Sequence, residues 1–487
     1  MTQRSLRVLL IVPGATLPIA TRSSPQLGIA YLAAVSEARG DQVRVYDGDV
    51  EDDSLEQMLR DFEPDLVGIT ANTTQIKGAW RDAGRVKAWR DVPVVLGGPH
   101  PAMLPDESLR LGTVDVVVRG EGEVTWQVLG DVLAEHWVAG TPFRDASSGL
   151  WTDGASPVAR VEGLSYRLPA GEVVHNADRP PLADLSALPL PAYHALKMDR
   201  YTNLQPTLDQ VTGLSMPIMT SRGCPYRCSY CAQIMDRRWR MRSAEDVVRE
   251  WQWLVEEQGA GEIGVLDDSF NINRQRVLDI CDLLIEKRLT HVPWIMINGI
   301  RANLADAEVL GRMKQAGCIR TAFGVESGNQ QILDSVIKKQ LTLDQVRKAF
   351  AAARSVGMET IGFFIIGMPG ETEDTIEETI RFAIELDPLV ANFSIATPFP
   401  GTEMYRTVKE SGRLLVEDYD DYVFFEGKAR FEMGGLTPEL VERKWKEAYR
   451  RFYLRPKRVL KILTRKKTWL DLPRTAQMAW HTVVSSS

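Results

Sequence analysis

Cysteine is scarce in this chain: there are five in 487 residues, and none precedes Cys224. An odd count argues against a closed disulfide framework, and the N-terminus shows no secretory signal pattern. A reducing cytoplasm is therefore the expected compartment. No run of 18 apolar residues occurs, so no membrane-spanning helix is expected. No G-x-G-x-x-G follows the first apolar run, which disfavours a nicotinamide or flavin dinucleotide. The remaining composition, 44% hydrophobic and 25% charged, is that of a soluble globular protein long enough for two or three domains.

Three of the five cysteines are concentrated in Arg222-Gly-Cys-Pro-Tyr-Arg-Cys-Ser-Tyr-Cys-Ala, where Cys224, Cys228 and Cys231 make a C-x3-C-x2-C run. Iron–sulfur clusters normally take four thiolates. Three thiolates hold three irons of a cubane and leave the fourth open to a substrate or cofactor. A structural zinc site wants four closed ligands, and no histidine lies near the run. Cys281, in an apolar helical stretch, and Cys318, at the start of a strand, read as buried small residues.

The run resembles the radical S-adenosylmethionine superfamily. The resemblance implies that the open iron of a [4Fe-4S] cluster binds S-adenosylmethionine and cleaves it to a 5′-deoxyadenosyl radical. Tyr230 fits the family's usual aromatic before the third cysteine.

Upstream, apolar runs at 6–13, 42–46, 65–70, 93–96 and 114–118 alternate with helical segments, the first helix spanning 27–39 and ending at Gly40. That alternation predicts an α/β fold with a doubly wound, Rossmann-like parallel sheet over 1–140. Ligands of such sheets bind beyond the strands' carboxyl ends. Those ends carry Thr70, Asn72 and Thr73, then Gly97, Gly98 and His100, then Gly120, Glu121 and Gly122. Glycine lets backbone approach a ligand closely.

With the cysteine run downstream, these loops and Pro25-Gln-Leu-Gly-Ile-Ala-Tyr-Leu-Ala33 look like the cobalamin-binding domain of cobalamin-dependent radical S-adenosylmethionine enzymes, over roughly residues 5–430. One departure stands out. Cobalamin domains of the methionine-synthase type carry D-x-H-x-x-G after the first strand, and here that loop, 14–22, has no histidine. Cobalt is thus not expected to be ligated by that loop, and His100 reads as a polar contact or structural hydrogen bond rather than a cobalt ligand.

A Gly-, Pro- and Ser-rich stretch makes a linker over 141–210, with a hairpin pairing 163–166 and 172–175. Strand signals at 217–221, 263–266, 294–297, 321–325, 360–366 and 392–397 then predict a partial (β/α)6 barrel over 211–430, with its site at the strands' carboxyl ends. Asp267 and Asp268, Asn298 and Arg301, Glu326 and Ser327, and Gly367 stand at those ends. The family resemblance implies contact with S-adenosylmethionine. The Asp267–Asp268 segment falls near the methionyl amine, and Glu326 with Ser327 near the ribose or methionyl end. Either aspartate could instead cap a helix, whereas a carboxylate at Glu326, ending an apolar strand, is hard to explain as surface charge. Glu326 and Asp268 are the candidate catalytic groups. Gly367-Met-Pro-Gly370 reads as a turn shaping the cofactor wall, and the loop 398–405 as facing substrate.

Residues 441–487 hold 13 Lys and Arg against three acids, a local +10 in a chain of −7. Apolar residues repeating among them predict basic helices over 431–487. Such helices dock on an acidic body, lie on a membrane surface or grip nucleic acid. No recognition motif supports the last.

The resemblance implies a C-methyltransferase acting at an unactivated carbon through methylcobalamin and the deoxyadenosyl radical. It further implies a small-molecule or lipid-like substrate and an electron donor such as flavodoxin or ferredoxin. A non-methylating oxidative cyclase, like the anaerobic cyclase of bacteriochlorophyll synthesis, fits the same layout. A non-catalytic cobalamin sensor is the reading from another class, opposed by the intact cysteine triad. Methylthio transfer to transfer RNA is opposed by the lack of any cysteine before Cys224.

Overall fold

The computed structural model describes residues 4–14, 25–137, 141, 143–145, 150, 156–201, 214–232, 234–423 and 426–459. It forms two compact units, one of 1–202 with 232–241 and 418–421, the other of 203–231, 242–417 and 422–487.

In the first unit, the run Arg-Val-Leu-Leu-Ile-Val is a strand, β1 (Arg7–Val12), buried at every residue but its first. Burial on both faces is what a parallel sheet with helices on either side requires. Parallel to β1 lie β2 (Gln42–Asp47) and β3 (Leu66–Thr70), followed by β4 (Val94–Gly97) and β5 (Val116–Val118). The order β2-β1-β3-β4-β5 reverses between β1 and β3, which creates a switch-point crevice at the carboxyl ends. The loop after β1 lies outside the described residues from Ala15 to Ser24.

The expected hairpin forms from β6 (Leu164–Arg167) and β7 (Val173–His175). It is not confined to a linker: β6 also pairs antiparallel with β5, extending the first sheet to seven strands. Leu164 and Tyr166, 0% and 2% exposed, supply the apolar contact that holds it there.

The second unit begins with β8 (Leu214–Ile218) and the two-residue β9 (Ser221–Arg222); β10 (Arg240–Met241) belongs to the first unit. Then come β11 (Ala260–Val265), β12 (Trp294–Met296), β13 (Cys318–Glu326), β14 (Glu359–Ile366) and β15 (Val390–Ile395). With β8 they form a six-stranded parallel sheet of order β8-β11-β12-β13-β14-β15. The first strand stops at Ile218, short of the expected Ser221. The Thr220 N–H there goes to the Asp267 carboxylate at 2.6 Å.

At the far edge, β15 is covered by the helix Pro438–Tyr453. Its residues Trp445, Tyr449 and Tyr453, four apart, share one face. Trp445 Nε1 donates to Phe393 O at 2.7 Å, the Tyr449 hydroxyl accepts from Phe393 N at 3.2 Å, and the Tyr453 hydroxyl pairs with both N and O of Ala391. An open parallel edge is a template for aggregation, and three aromatic side chains close this one. Tyr449→Phe should lower unfolding free energy by about 1–3 kcal/mol, the desolvation cost of a stranded buried donor, read as a shift in the urea midpoint. An unchanged midpoint would mean water replaces the hydroxyl.

The same helix and the residues just after it carry five bases of the tail that are paired with acids. Arg443 and Lys444 pair with Glu373, Arg451 with Glu377, and Arg455 and Arg458 with Asp387. These bases therefore dock on the protein's own helix Glu373–Leu386 and its C-cap. The rest of the tail, 460–487, lies outside the described residues. Among the described residues, no helix is long and apolar enough to cross a membrane.

Candidate functional site

The cysteine loop leaves the carboxyl end of β8 through β9, at the end of a parallel sheet where barrel sites form. Cys224 and Cys228 are half-buried and Cys231 is exposed, all three as free thiols. The loop is pinned by Ser229, whose N donates to Ile337 O at 3.0 Å and whose hydroxyl donates to Val336 O at 2.7 Å. The Arg301 guanidinium lies 3.6 Å from the ring centroid of Tyr226, a cation–π contact against the loop's inner side.

Burial pushes the Cys228 thiol above its ordinary pKa, while Lys339 and Arg301 pull it down. Two cations within electrostatic reach of Cys228, one of them, Lys339, also within reach of Cys231, suit an anionic iron–sulfur cluster. Among the described residues, no three of His, Cys, Asp or Glu converge on a point that one metal ion could fill. A cubane spreads its three thiolates over three irons, so the donor set fits the cluster.

Glu326 ends β13 with φ of +66°, in the left-handed region that a non-glycine residue occupies at a cost of about 1–3 kcal/mol. The register of β13 against β14 slips between Gly324 and Glu326, and a bulge of that kind re-aims a side chain. Glu326 Oε1 accepts from the Tyr230 hydroxyl at 2.8 Å and from Lys339 Nζ at 2.6 Å. Burial works against the Lys339 charge, but the Glu326 carboxylate overrides it and holds the ammonium above its ordinary pKa. Burial and the same carboxylate push the Tyr230 phenol well up, so it remains a donor. Gly324 makes the room: a Cβ there would lie 2.5 Å from Glu326 Oε1 and 2.7 Å from Lys339 Nζ.

The aspartates divide. Asp267, 0% exposed, does not cap a helix; its carboxylate accepts from Thr220 N, Thr220 Oγ1 and Ser221 Oγ, bracing the entry to the cysteine loop. Three of its roughly four acceptor sites are filled by the entry to the cysteine loop. Asp268 faces solvent and accepts from Gly223 N. Asn298 is exposed at the end of β12 and donates to Leu266 O at 2.7 Å. Arg301, 8% exposed, donates to Lys339 O and Gln340 O, tying the Lys339 backbone to the cysteine loop's partner. Ser327 is buried against Thr379 Oγ1 at 3.2 Å, a structural contact rather than an open one.

Gly367, with φ of +86°, opens the turn after β14, and its N–H and that of Met368 both donate to Glu371 Oε2 at 2.8 Å. The other oxygen, Oε1, is buried without a hydrogen-bond partner among the described residues. Burial outweighs the two N–H donors and raises the Glu371 carboxyl from 4.5 to about 7. Because the folded value lies above the unfolded one, the native state binds this proton more tightly. The stability it contributes is complete below about pH 4.5 and is lost as pH rises through about 7. Urea denaturation at pH 4.5 and 8 should show Glu371→Gln losing less stability than the parent by roughly 3 kcal/mol, at 1.36 kcal/mol per pKa unit. Equal losses in both proteins would contradict the assignment.

In the first unit, Thr70 and Gly97 end β3 and β4, and Asn72 caps the short helix Thr73–Gln75 through its side chain. Gly98 has φ of +95°, and a Cβ there would lie 2.8 Å from both Ala71 O and Thr70 Oγ1, so glycine keeps the two loops in contact. His100 is 2% exposed, and burial lowers its pKa to about 4, so the imidazole is neutral. Its Nδ1 lies 3.3 Å from Thr73 Oγ1, and its Nε2 has no hydrogen-bond partner among the described residues. Tyr419, far along the chain, meets the His100 ring edge to face at 4.5 Å and donates to Glu107. A neutral, buried imidazole whose Nε2 lies 3.7 Å from Glu107 Oε2 stands beside glycine-lined strand ends, a setting that fits a large polar cofactor such as cobalamin. Gly120 has φ of +72° and open space around its Cα, whereas a Cβ at Gly122 would touch Leu32 and Val118 at 3.7 and 3.8 Å. Glu121 departs from expectation: it is tied to Arg240 and to Leu182 N.

Sequence reasoning missed Lys339, Glu371, Tyr226 and Tyr419. Nothing local marks Lys339; only Gly324, inside an apolar strand, hints at the space that Glu326 and Lys339 share.

The first unit is thus a Rossmann-like sheet with glycines at its strand ends, and the second a parallel sheet whose first loop carries three thiols. Comparison agrees. Residues 20–129 match the B12 binding domain and residues 218–383 the radical SAM superfamily. An uncharacterized methyltransferase of Pyrococcus horikoshii is 34% identical over 94% of both chains. The anaerobic magnesium-protoporphyrin IX monomethyl ester cyclase of Rubrivivax gelatinosus is 29% identical over 88% of this chain and 74% of its own. The solved structure of the cobalamin-dependent S-adenosylmethionine radical enzyme OxsB shares the fold with a TM-score of 0.73 at 18% identity, over 99% of this chain and 72% of that one. The chain belongs to the cobalamin-dependent radical S-adenosylmethionine enzymes, whose cofactors are a [4Fe-4S] cluster, S-adenosylmethionine and cobalamin.

Proposed function

We propose that this enzyme is a C-methyltransferase acting at an unactivated carbon of a small-molecule or lipid-like substrate. The observation that carries the reading is the end-to-end likeness to a protein named a methyltransferase, at 34% identity. In this reading Cys224, Cys228 and Cys231 hold the cluster, and the crevice around Gly97, Gly98 and His100 holds cobalamin. When bound, the cluster with S-adenosylmethionine supplies a hydrogen-abstracting radical and cobalamin a transferable methyl group. The protein's part is to bind, orient and exclude water. The Glu326–Lys339–Tyr230 set fixes charge beside the cysteine loop, with Lys339 available to an anionic group of the cofactor and Glu326 to a donor. A flavodoxin or ferredoxin is the expected source of electrons.

Likeness to a magnesium-protoporphyrin cyclase favours a second reading, in which both cofactors are kept and no methyl is transferred. An anaerobic assay with reconstituted protein, reductant and methyl-labelled S-adenosylmethionine separates them. Label in the cobalamin fraction together with 5′-deoxyadenosine supports the methyltransferase. Deoxyadenosine without label in cobalamin favours the cyclase type.

A further inference from the structure

The segment after β11 contributes one more contact, and it points at sulfur. Ser269 is 2% exposed, and its hydroxyl donates to Cys224 Sγ at 3.3 Å. A neutral thiol is a weak acceptor, so a buried hydroxyl aimed at one gains little from it. A thiolate is different: it carries charge, has no proton to give, and makes the hydrogen bond charge-assisted. The direction of the bond is then forced, with Ser269 as donor.

The geometry is braced from both sides. Two residues before Ser269, Asp267 holds Thr220 and Ser221, which lead into Cys224, and Arg276 Nη2 donates to Thr220 O at 2.7 Å behind them. One short segment thus fixes the path of the cysteine loop and delivers the hydroxyl to its first sulfur. Supporting groups that orient and polarise a metal ligand tune the metal itself, and hydrogen bonds to cluster sulfurs set reduction potential.

We propose that Ser269 is a positioning residue that raises the reduction potential of the cluster by hydrogen-bonding the Cys224 thiolate, with Asp267 holding that sulfur in place. The proposal rests on the reading that Cys224, Cys228 and Cys231 carry a [4Fe-4S] cluster. A hydrogen bond to sulfur stabilises the more negative, reduced cluster, so removing it makes reduction harder.

The test is an EPR-monitored redox titration of the full chain, reconstituted, as wild type, Ser269→Ala and Ser269→Thr. In the alanine variant the ratio of reduced to oxidised cluster at a fixed potential should fall about tenfold, a midpoint lower by ~59 mV for one electron. The threonine variant, which keeps the hydroxyl, should restore most of it. An alanine variant with wild-type iron content and a wild-type midpoint overturns the proposal. If that variant holds no iron, pulsed EPR of the reduced wild type in D2O decides: an exchangeable deuteron coupled to the cluster and kept in the threonine variant supports the hydroxyl, and its absence overturns it. A wild type that never shows a [4Fe-4S] spectrum removes the site assignment itself, whereas a normal cluster with an unmoved midpoint removes only the role of Ser269.

Discussion

Replacing Cys228 with serine will strip the reconstituted protein of most of its iron and cut 5′-deoxyadenosine formation by more than about 100-fold. Disturbing groups behind a metal ligand already costs 10–100-fold, and this change removes a ligand. Serine keeps the size of cysteine but offers a hard, protonated oxygen where iron in a cluster needs a soft thiolate. Cys281→Ala is the matching control. Cys281 lies in the helix Arg274–Glu286 and is 0% exposed, so iron and turnover should stay at the parent's level. Iron analysis and anaerobic chromatography read both results. A serine variant with full iron and full cleavage would mean that the three thiols do not carry the chemistry.

The second large effect concerns the buried pair. Lys339 and Glu326 are 9% and 5% exposed, and their charged atoms lie 2.6 Å apart. Such a pair adds little over a well-packed apolar substitute, but breaking it strands a charge. Lys339→Met should therefore lower unfolding free energy by ~3–5 kcal/mol. Adding Glu326→Gln, which removes the stranded charge and keeps the acceptor for Tyr230, should recover most of that loss. Urea denaturation of the two single variants and the double closes the cycle. If the double is no more stable than Lys339→Met, the cost lies in packing and not in the unpaired carboxylate. Both single variants should also bind S-adenosylmethionine more weakly, since they unbalance the charge beside the cysteine loop.

What the sequence made legible is what local pattern encodes. Strands read from short apolar runs fell on the sheets, because burial on both faces leaves a continuous apolar signature. The hairpin read from Pro169-Ala-Gly171 formed, but its place as an edge of the first sheet depends on Val116 and Val117 pairing with Tyr166 and Ser165, a contact no local window contains. The cysteine run needed only spacing. The work of Asp267 was hidden for the opposite reason: an aspartate after a strand looks like a cap, and only the folded chain brings Thr220 and Ser221 to it. Lys339 was invisible in the same way, with nothing in its own stretch to mark it until β13 bulges and turns Glu326 onto it. Glu371 was passed over inside a turn motif, although the turn's own N–H groups close onto its carboxylate.

The basic tail shows how composition can be read correctly in part. Its helical first half neutralises acids of the helix Glu373–Leu386 while its aromatic face seals β15. Charge set the partner, and aromatic spacing set the register.

A three-cysteine loop should hold a cluster with one iron left open. The most direct measurement is the EPR spectrum of the reduced, reconstituted protein recorded with and without S-adenosylmethionine. The account predicts a [4Fe-4S] signal whose g values shift on addition, and no such signal from Cys228→Ser. A spectrum indifferent to S-adenosylmethionine would contradict it, because a fully ligated cluster offers no iron to bind.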